Sequence, residues 1–159
     1  MLLRFLAACA LLLALPLHAA TFRGTVTHVS DGDTLWVRPA SGGKPVQVRI
    51  VDIDAPEGCQ RFGPEARQAL RDRVLRQPVQ VRSRGRDDYR RTLAQVRHRG
   101  EDLGAWLVRE GHAWSSTFKG RKGPYDRLQA QARQARRGLW STPGAVEPRH
   151  FRRQHGRCR

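Results

Sequence analysis

Five carboxylates of this chain fall into two short clusters, each where a strand pattern gives way to a turn. Asp31-Gly32-Asp33-Thr34 sets two around a glycine, and Asp52-Ile53-Asp54-Ala55-Pro56-Glu57 sets three more within six residues. While the second segment is extended, Asp52 and Asp54 project to one side, and Pro56 keeps Ala55 extended with its carbonyl free. Carboxylate and carbonyl oxygens are hard donors suited to Ca2+ or Mg2+, whereas zinc calls for several His or Cys ligands. The six histidines are scattered without ligand spacing. Asp-Gly-Asp alone is a common turn sequence; the second cluster is what makes the pair a candidate cation site.

The rest of the chain is strongly basic. Thirty Lys and Arg against 14 Asp and Glu give a formal charge of +16 over 159 residues, an excess that points to a polyanionic partner. Charge alone also fits simple solubility or adhesion to an anionic surface, so nucleic acid becomes the preferred partner only through the site.

The elements that must position these groups read as one domain, residues 21–142. Phe22 to Val29 and Thr34 to Val37 alternate apolar and polar residues across the Asp-Gly-Asp turn, and Val46 to Ile53 alternates again after a Gly-Gly turn. From Pro64 the period becomes helical until Gln77-Pro78. Val79 to Ser83 and Thr92 to His98 return to strands around the charged loop Arg84 to Arg91. Asp102 caps a second helix through Glu110, and Tyr125 to Arg137 forms a third, stopped by Gly138. Five strands in this order, with a helix after the third, suit an α+β, mainly β fold: a five-stranded OB-fold Greek-key barrel with three helices. From Pro143 the chain is poor in apolar residues and reads as a basic, irregular tail, 143–159.

Five segments in order resemble the staphylococcal nuclease (thermonuclease) family: Val29-Ser30-Asp31-Gly32-Asp33-Thr34, Arg49 to Glu57, Phe62-Gly63-Pro64-Glu65-Ala66, Asp88-Tyr89-Arg90-Arg91 and Gly138-Leu139-Trp140. The resemblance spans about residues 22–141. It implies an OB-fold nuclease that hydrolyses DNA and RNA with one Ca2+, endonucleolytically, leaving the phosphate on the 3′ side. It further implies that Asp33, Asp54 and the Ala55 carbonyl hold the metal, with Asp31 nearby through water. Glu57 would orient or deprotonate the attacking water, and Arg49 and Arg91 would grip the scissile phosphate. Chemistry asks for such a set, because a cation and planar guanidinium forks stabilise the charge that builds on phosphoryl oxygens. The family pattern Asp-x-Tyr-Gly-Arg is altered here, since Arg90 stands in place of the glycine. Either Arg90 or Arg91 then fits the catalytic role, with Arg91 preferred by register and Arg90 left to bind substrate. Trp114, Phe118 and Lys119 are further candidates for base stacking and phosphate binding, although Trp114 reads more readily as core.

The first 20 residues read as a signal peptide, with a short basic start, an apolar run and a small-residue exit. The run is shorter than the roughly 20 residues a membrane span requires, so no stable membrane insertion is expected. The mature protein is expected to be secreted or periplasmic, and a monomer. Cys9 in Leu6-Ala7-Ala8-Cys9 resembles a lipoprotein box, but most of the apolar run follows it, which favours cleavage instead. Loss of Cys9 leaves Cys59 and Cys158, expected as one disulfide in an oxidising compartment. The competing functional reading is a non-catalytic OB-fold nucleic-acid-binding module, which would be expected to have lost some of Asp33, Arg49, Asp54, Glu57 and Arg91.

Overall fold

A computed structural model of the chain describes residues 20–116, 121–156 and 158. The signal-peptide segment up to residue 19, Cys9 included, and the candidates Phe118 and Lys119 lie outside the described residues.

Alternation of β-branched residues produces the expected barrel. Strands β1 (Thr21–Asp31), β2 (Thr34–Pro39) and β3 (Val46–Ile50) form an antiparallel meander, and β5 (Pro78–Arg86) and β6 (Thr92–His98) form a second hairpin. β1 pairs with β5, and β3 closes the circle by pairing in parallel with β6, Val48 opposite Thr92 and Ile50 opposite Ala94. Closure leaves these strands without a free edge. Inward positions of the alternation fill the interior: Val26, Val29, Leu35, Val37, Val48, Val81 and Val96 are fully buried. Registers shift between Val26 and His28 and between Val29 and Asp31, bending β1 as it approaches the Asp-Gly-Asp turn.

Helix α1 (Gly63–Val74) starts at Pro64, whose fixed φ suits a first turn, and buries Ala66, Leu70 and Val74 against the barrel. Helix α2 (Leu103–Arg109) is capped by Asp102, whose carboxylate accepts from the amides of Gly104 and Ala105. It follows the short strand β7 (Glu101–Asp102), which pairs antiparallel with the end of β6, and packs beside α3 (Asp126–Gln134). The 3₁₀ turn Gly138–Trp140 then leads into the tail.

Two expectations change. The third strand does not run on to Ile53: Asp52 has φ 66°, a left-handed conformation that breaks it. The chain resumes as β4 (Ile53–Asp54), paired with β8 (Trp114–Ser115) in a separate two-stranded ribbon. Asp52 and Asp54 therefore part company, Asp52 to Arg84 at 2.7 Å and Asp54 to Arg49 at 3.1 Å. The tail is also not irregular. Pro148 opens a fourth helix, α4 (Pro148–His155), too short and polar to announce itself by apolar periodicity.

Long-range bonds fix that helix in place. The Cys59–Cys158 disulfide is formed and closes 99 residues of chain. Gln60 donates to the Val146 carbonyl at 2.7 Å, and Arg61 donates to Thr142 Oγ1 at 2.6 Å. Because the anchors are the residues directly after Glu57, the tail is seated beside the second acidic cluster.

The turn between β1 and β2 is clamped between that cluster and α1. A Cβ on Gly32 would lie 2.8 Å from Ala55 Cβ and 2.9 Å from Ala66 Cβ, so the glycine is required by close approach. Gly32→Ala is expected to destabilise the fold by about 1–3 kcal/mol through overpacking. Urea denaturation measures this, and an unchanged midpoint would mean that the turn is not clamped.

Candidate active site

A cleft of about 280 Å3 opens at this end of the barrel, lined by Asp31, Asp33, Arg49, Ala55, Pro56, Glu57, Arg91, Arg152 and Cys158. The turn supplies the two aspartates, the end of β3 supplies Arg49, the segment after β4 supplies Ala55 to Glu57, and the turn before β6 brings Arg91. The metal candidates and Arg49, Glu57 and Arg91 are thus either in the cleft wall or, for Asp54, bonded to residues that are.

Asp33 is the most deeply placed, with 1% of its surface exposed. Its Oδ2 accepts from the Ala55 amide at 2.9 Å, which joins the two acidic segments. Its Oδ1 accepts from the Thr34 hydroxyl at 3.1 Å and contacts Arg49 Nη1. Arg49 also reaches Asp54 Oδ1 through Nη2 at 3.1 Å, so one guanidinium bridges both carboxylates. Asp31 folds back in an Asx turn, accepting from the Asp33 amide at 3.1 Å.

Burial pushes the Asp33 carboxyl up to about 6, opposed by Arg49 and the Ala55 amide and reinforced by the neighbouring Asp31 charge. Burial disfavours charge on Arg49 too, but Asp33, Asp54 and Asp31 outweigh it and raise its pKa. Burial thus outweighs the stabilisation that Arg49 and the Ala55 amide give the Asp33 carboxylate. The donor set of Asp33, Asp54 and the Ala55 carbonyl suits a hard divalent cation chemically. Among the described residues no three His, Cys, Asp or Glu side chains are gathered as metal ligands. A cation held here would thus rely on few protein donors and on water, as Ca2+ and Mg2+ tolerate.

Arg91 is held at the rim by Asp87, whose Oδ2 accepts from Arg91 Nε at 2.7 Å while Oδ1 accepts from the Tyr89 and Arg91 amides, each at 3.0 Å. Arg90 takes the left-handed conformation a glycine would favour, with φ 65°. It is exposed on the turn and does not line the cleft, so of the two arginines it is Arg91 that the fold brings to the carboxylates. Trp114 is 8% exposed, its ring set edge-on to Trp140 at 4.4 Å with Arg133 stacked over both. It belongs to this packed cluster rather than to an open stacking surface.

One functional candidate was not singled out in the sequence. Arg152 of α4 reaches Asp54 Oδ2 through Nη2 at 2.9 Å, Asp54 Oδ1 through Nη1 at 3.1 Å and Glu57 Oε1 through Nη1 at 2.8 Å. Among the many arginines of the tail nothing local marks it. The available signal was the pair of cysteines, because Cys59 follows Glu57 by two residues and Cys158 follows Arg152 by six. Burial costs the Arg152 charge something, but Asp54 and Glu57 more than compensate and raise its pKa.

Comparison with known proteins finds relatives of this sequence. The sequence model described as "Staphylococcal nuclease homologue" matches residues 47–142. "Protein ParB" of Escherichia coli is 42% identical, over 96% of this chain and 91% of that protein. "Micrococcal nuclease" of Shigella flexneri is 40% identical over 92% and 89% of the two chains. An "Uncharacterized endonuclease" of Haemophilus influenzae is 36% identical over 81% and 72%. With a family match over more than half its length and a relative 40% identical over most of both chains, the chain belongs to the staphylococcal nuclease homologue family.

Proposed function

We propose that this protein is a calcium-dependent endonuclease that hydrolyses phosphodiester bonds of DNA and RNA and leaves 3′-phosphate ends. The observation that carries the reading is the convergence of Asp33, Asp54 and Glu57 with Arg49 and Arg91 around one cleft in a chain of formal charge +16. Asp33, Asp54 and the Ala55 carbonyl would hold one Ca2+, which would supply Lewis-acid stabilisation of the phosphoryl charge. Arg49 and Arg91 approach the non-bridging oxygens of the scissile phosphate and stabilise the charge that grows there. Glu57, held through its amide by Gln60 at 3.1 Å, accepts the proton of the attacking water. The water oxygen bonds to phosphorus, the bond from phosphorus to the 5′ oxygen breaks, and that oxygen takes a proton from solvent water to leave as a hydroxyl.

The basic surface draws the polyanion in, and a monomer suffices because one chain supplies all the groups. Among the described residues no helix is long and apolar enough to cross a membrane. Residues 1–20 direct export to the periplasm or the medium, a reading supported by the disulfide, since such bonds persist in oxidising compartments.

Purified mature protein is expected to cut single-stranded and duplex substrates with Ca2+ and to stop on chelation. Glu57→Gln is expected to lower kcat by about 10²–10⁴, and Arg49→Ala by about 10²–10³. Binding without cleavage under every cation tried would favour the non-catalytic module. Mass spectrometry of protein from the periplasm or medium is expected to find a chain that starts near residue 20 with no free thiol. Full-length protein retained in the cytosol would refute export.

A further inference from the structure

Arg152 occupies both oxygens of Asp54 and one oxygen of Glu57, the groups read above as cation ligand and proton acceptor. It arrives from outside the barrel, on a helix whose seat is set by the Cys59–Cys158 disulfide and by the bond from Gln60 to Val146. The guanidinium is a cation placed on the same carboxylates that a divalent ion would need, and it is only about one-quarter exposed, so water screens it weakly.

We propose that Arg152 is an internal cation that competes with the divalent ion, so that the tail sets the protein's affinity for its metal. The inference rests on the reading of Asp54 and Glu57 given above. With Arg152 seated, Asp54 has no uncommitted oxygen, because Arg49 shares Oδ1 as well. Binding of the ion to Asp54 places two cations on one carboxylate, and their repulsion drives Arg152 to withdraw. The apparent dissociation constant is the intrinsic one divided by the fraction of molecules in which it has done so. The seated form keeps Asp54 and Glu57 neutralised and in place while the ion is absent. The disulfide raises the effective concentration of the guanidinium at the site, since a tethered group rebinds as an intramolecular partner.

The test is calorimetric titration of the folded, full-length mature protein with Ca2+ and, separately, Mg2+, without nucleic acid. Circular dichroism confirms that each variant is folded. Arg152→Ala is expected to bind Ca2+ about tenfold or more tightly than the unmutated protein, as removal of an occluding state requires. Arg153→Ala, which removes the same formal charge from the adjacent position, is expected to change the affinity less than about twofold, as a solvent-screened charge should. The double variant Cys59→Ser with Cys158→Ser is expected to shift in the direction of Arg152→Ala. Unchanged or weaker binding by Arg152→Ala would overturn the inference and leave the nuclease reading standing if cleavage persists. Equal tightening by Arg153→Ala would also overturn it, in favour of overall charge. Failure of every form to bind either ion, together with no cleavage, would remove both readings.

Discussion

A buried carboxylate holds this site together. Asp33 lies under the barrel end with almost no exposed surface, accepts the Ala55 amide on one oxygen and meets Arg49 on the other. Burying a lone charge is costly, and what offsets that cost here is a set of partners drawn from three separate segments. The same bonds that keep Asp33 tolerable therefore fix where the turn, the β3 arginine and the second acidic cluster stand relative to one another. Gly32 makes the approach possible by leaving no side chain between the turn, Ala55 and Ala66.

Around that link the fold divides the labour. The closed barrel presents Arg49 from a strand with no freedom to slip, because β3 is paired on both sides, to β2 and to β6. Arg91 comes from a turn instead, yet Asp87 gathers two amides and the guanidinium Nε of that turn and orders it. This explains how an arginine at position 90 is accommodated: the left-handed strain of about 1–2 kcal/mol at a non-glycine residue is borne by a turn that has its own internal hydrogen bonds.

The tail adds a second layer. Its disulfide and polar contacts attach to the loop immediately after Glu57, so α4 is bound to the functional end of the barrel and not to its hydrophobic flank. A helix of eight residues with three arginines has little apolar surface to bury and owes its position to these attachments. Its placement puts a third arginine among the carboxylates, and the charge balance of the cleft is decided as much by the tail as by the barrel.

Local chemistry in the sequence determined much of this. Period-two alternation gave the five barrel strands, Pro64 and Asp102 marked helix starts, and the acidic clusters and Arg49 named the site, because each of these signals acts within a few residues. Asp52 misled for the same reason: alternation says nothing of a left-handed residue that ends a strand, and the pairing of β4 with β8 joins segments some 60 residues apart. Trp114 and Arg90 carried suitable chemistry, but only packing decides that one is enclosed with Trp140 and Arg133 while the other stands outside the cleft lining. Arg152 is the clearest case. Its type was visible among many arginines, but its contact with Asp54 and Glu57 spans more than 90 positions of chain and exists only once the disulfide and α4 have folded the tail back across the site.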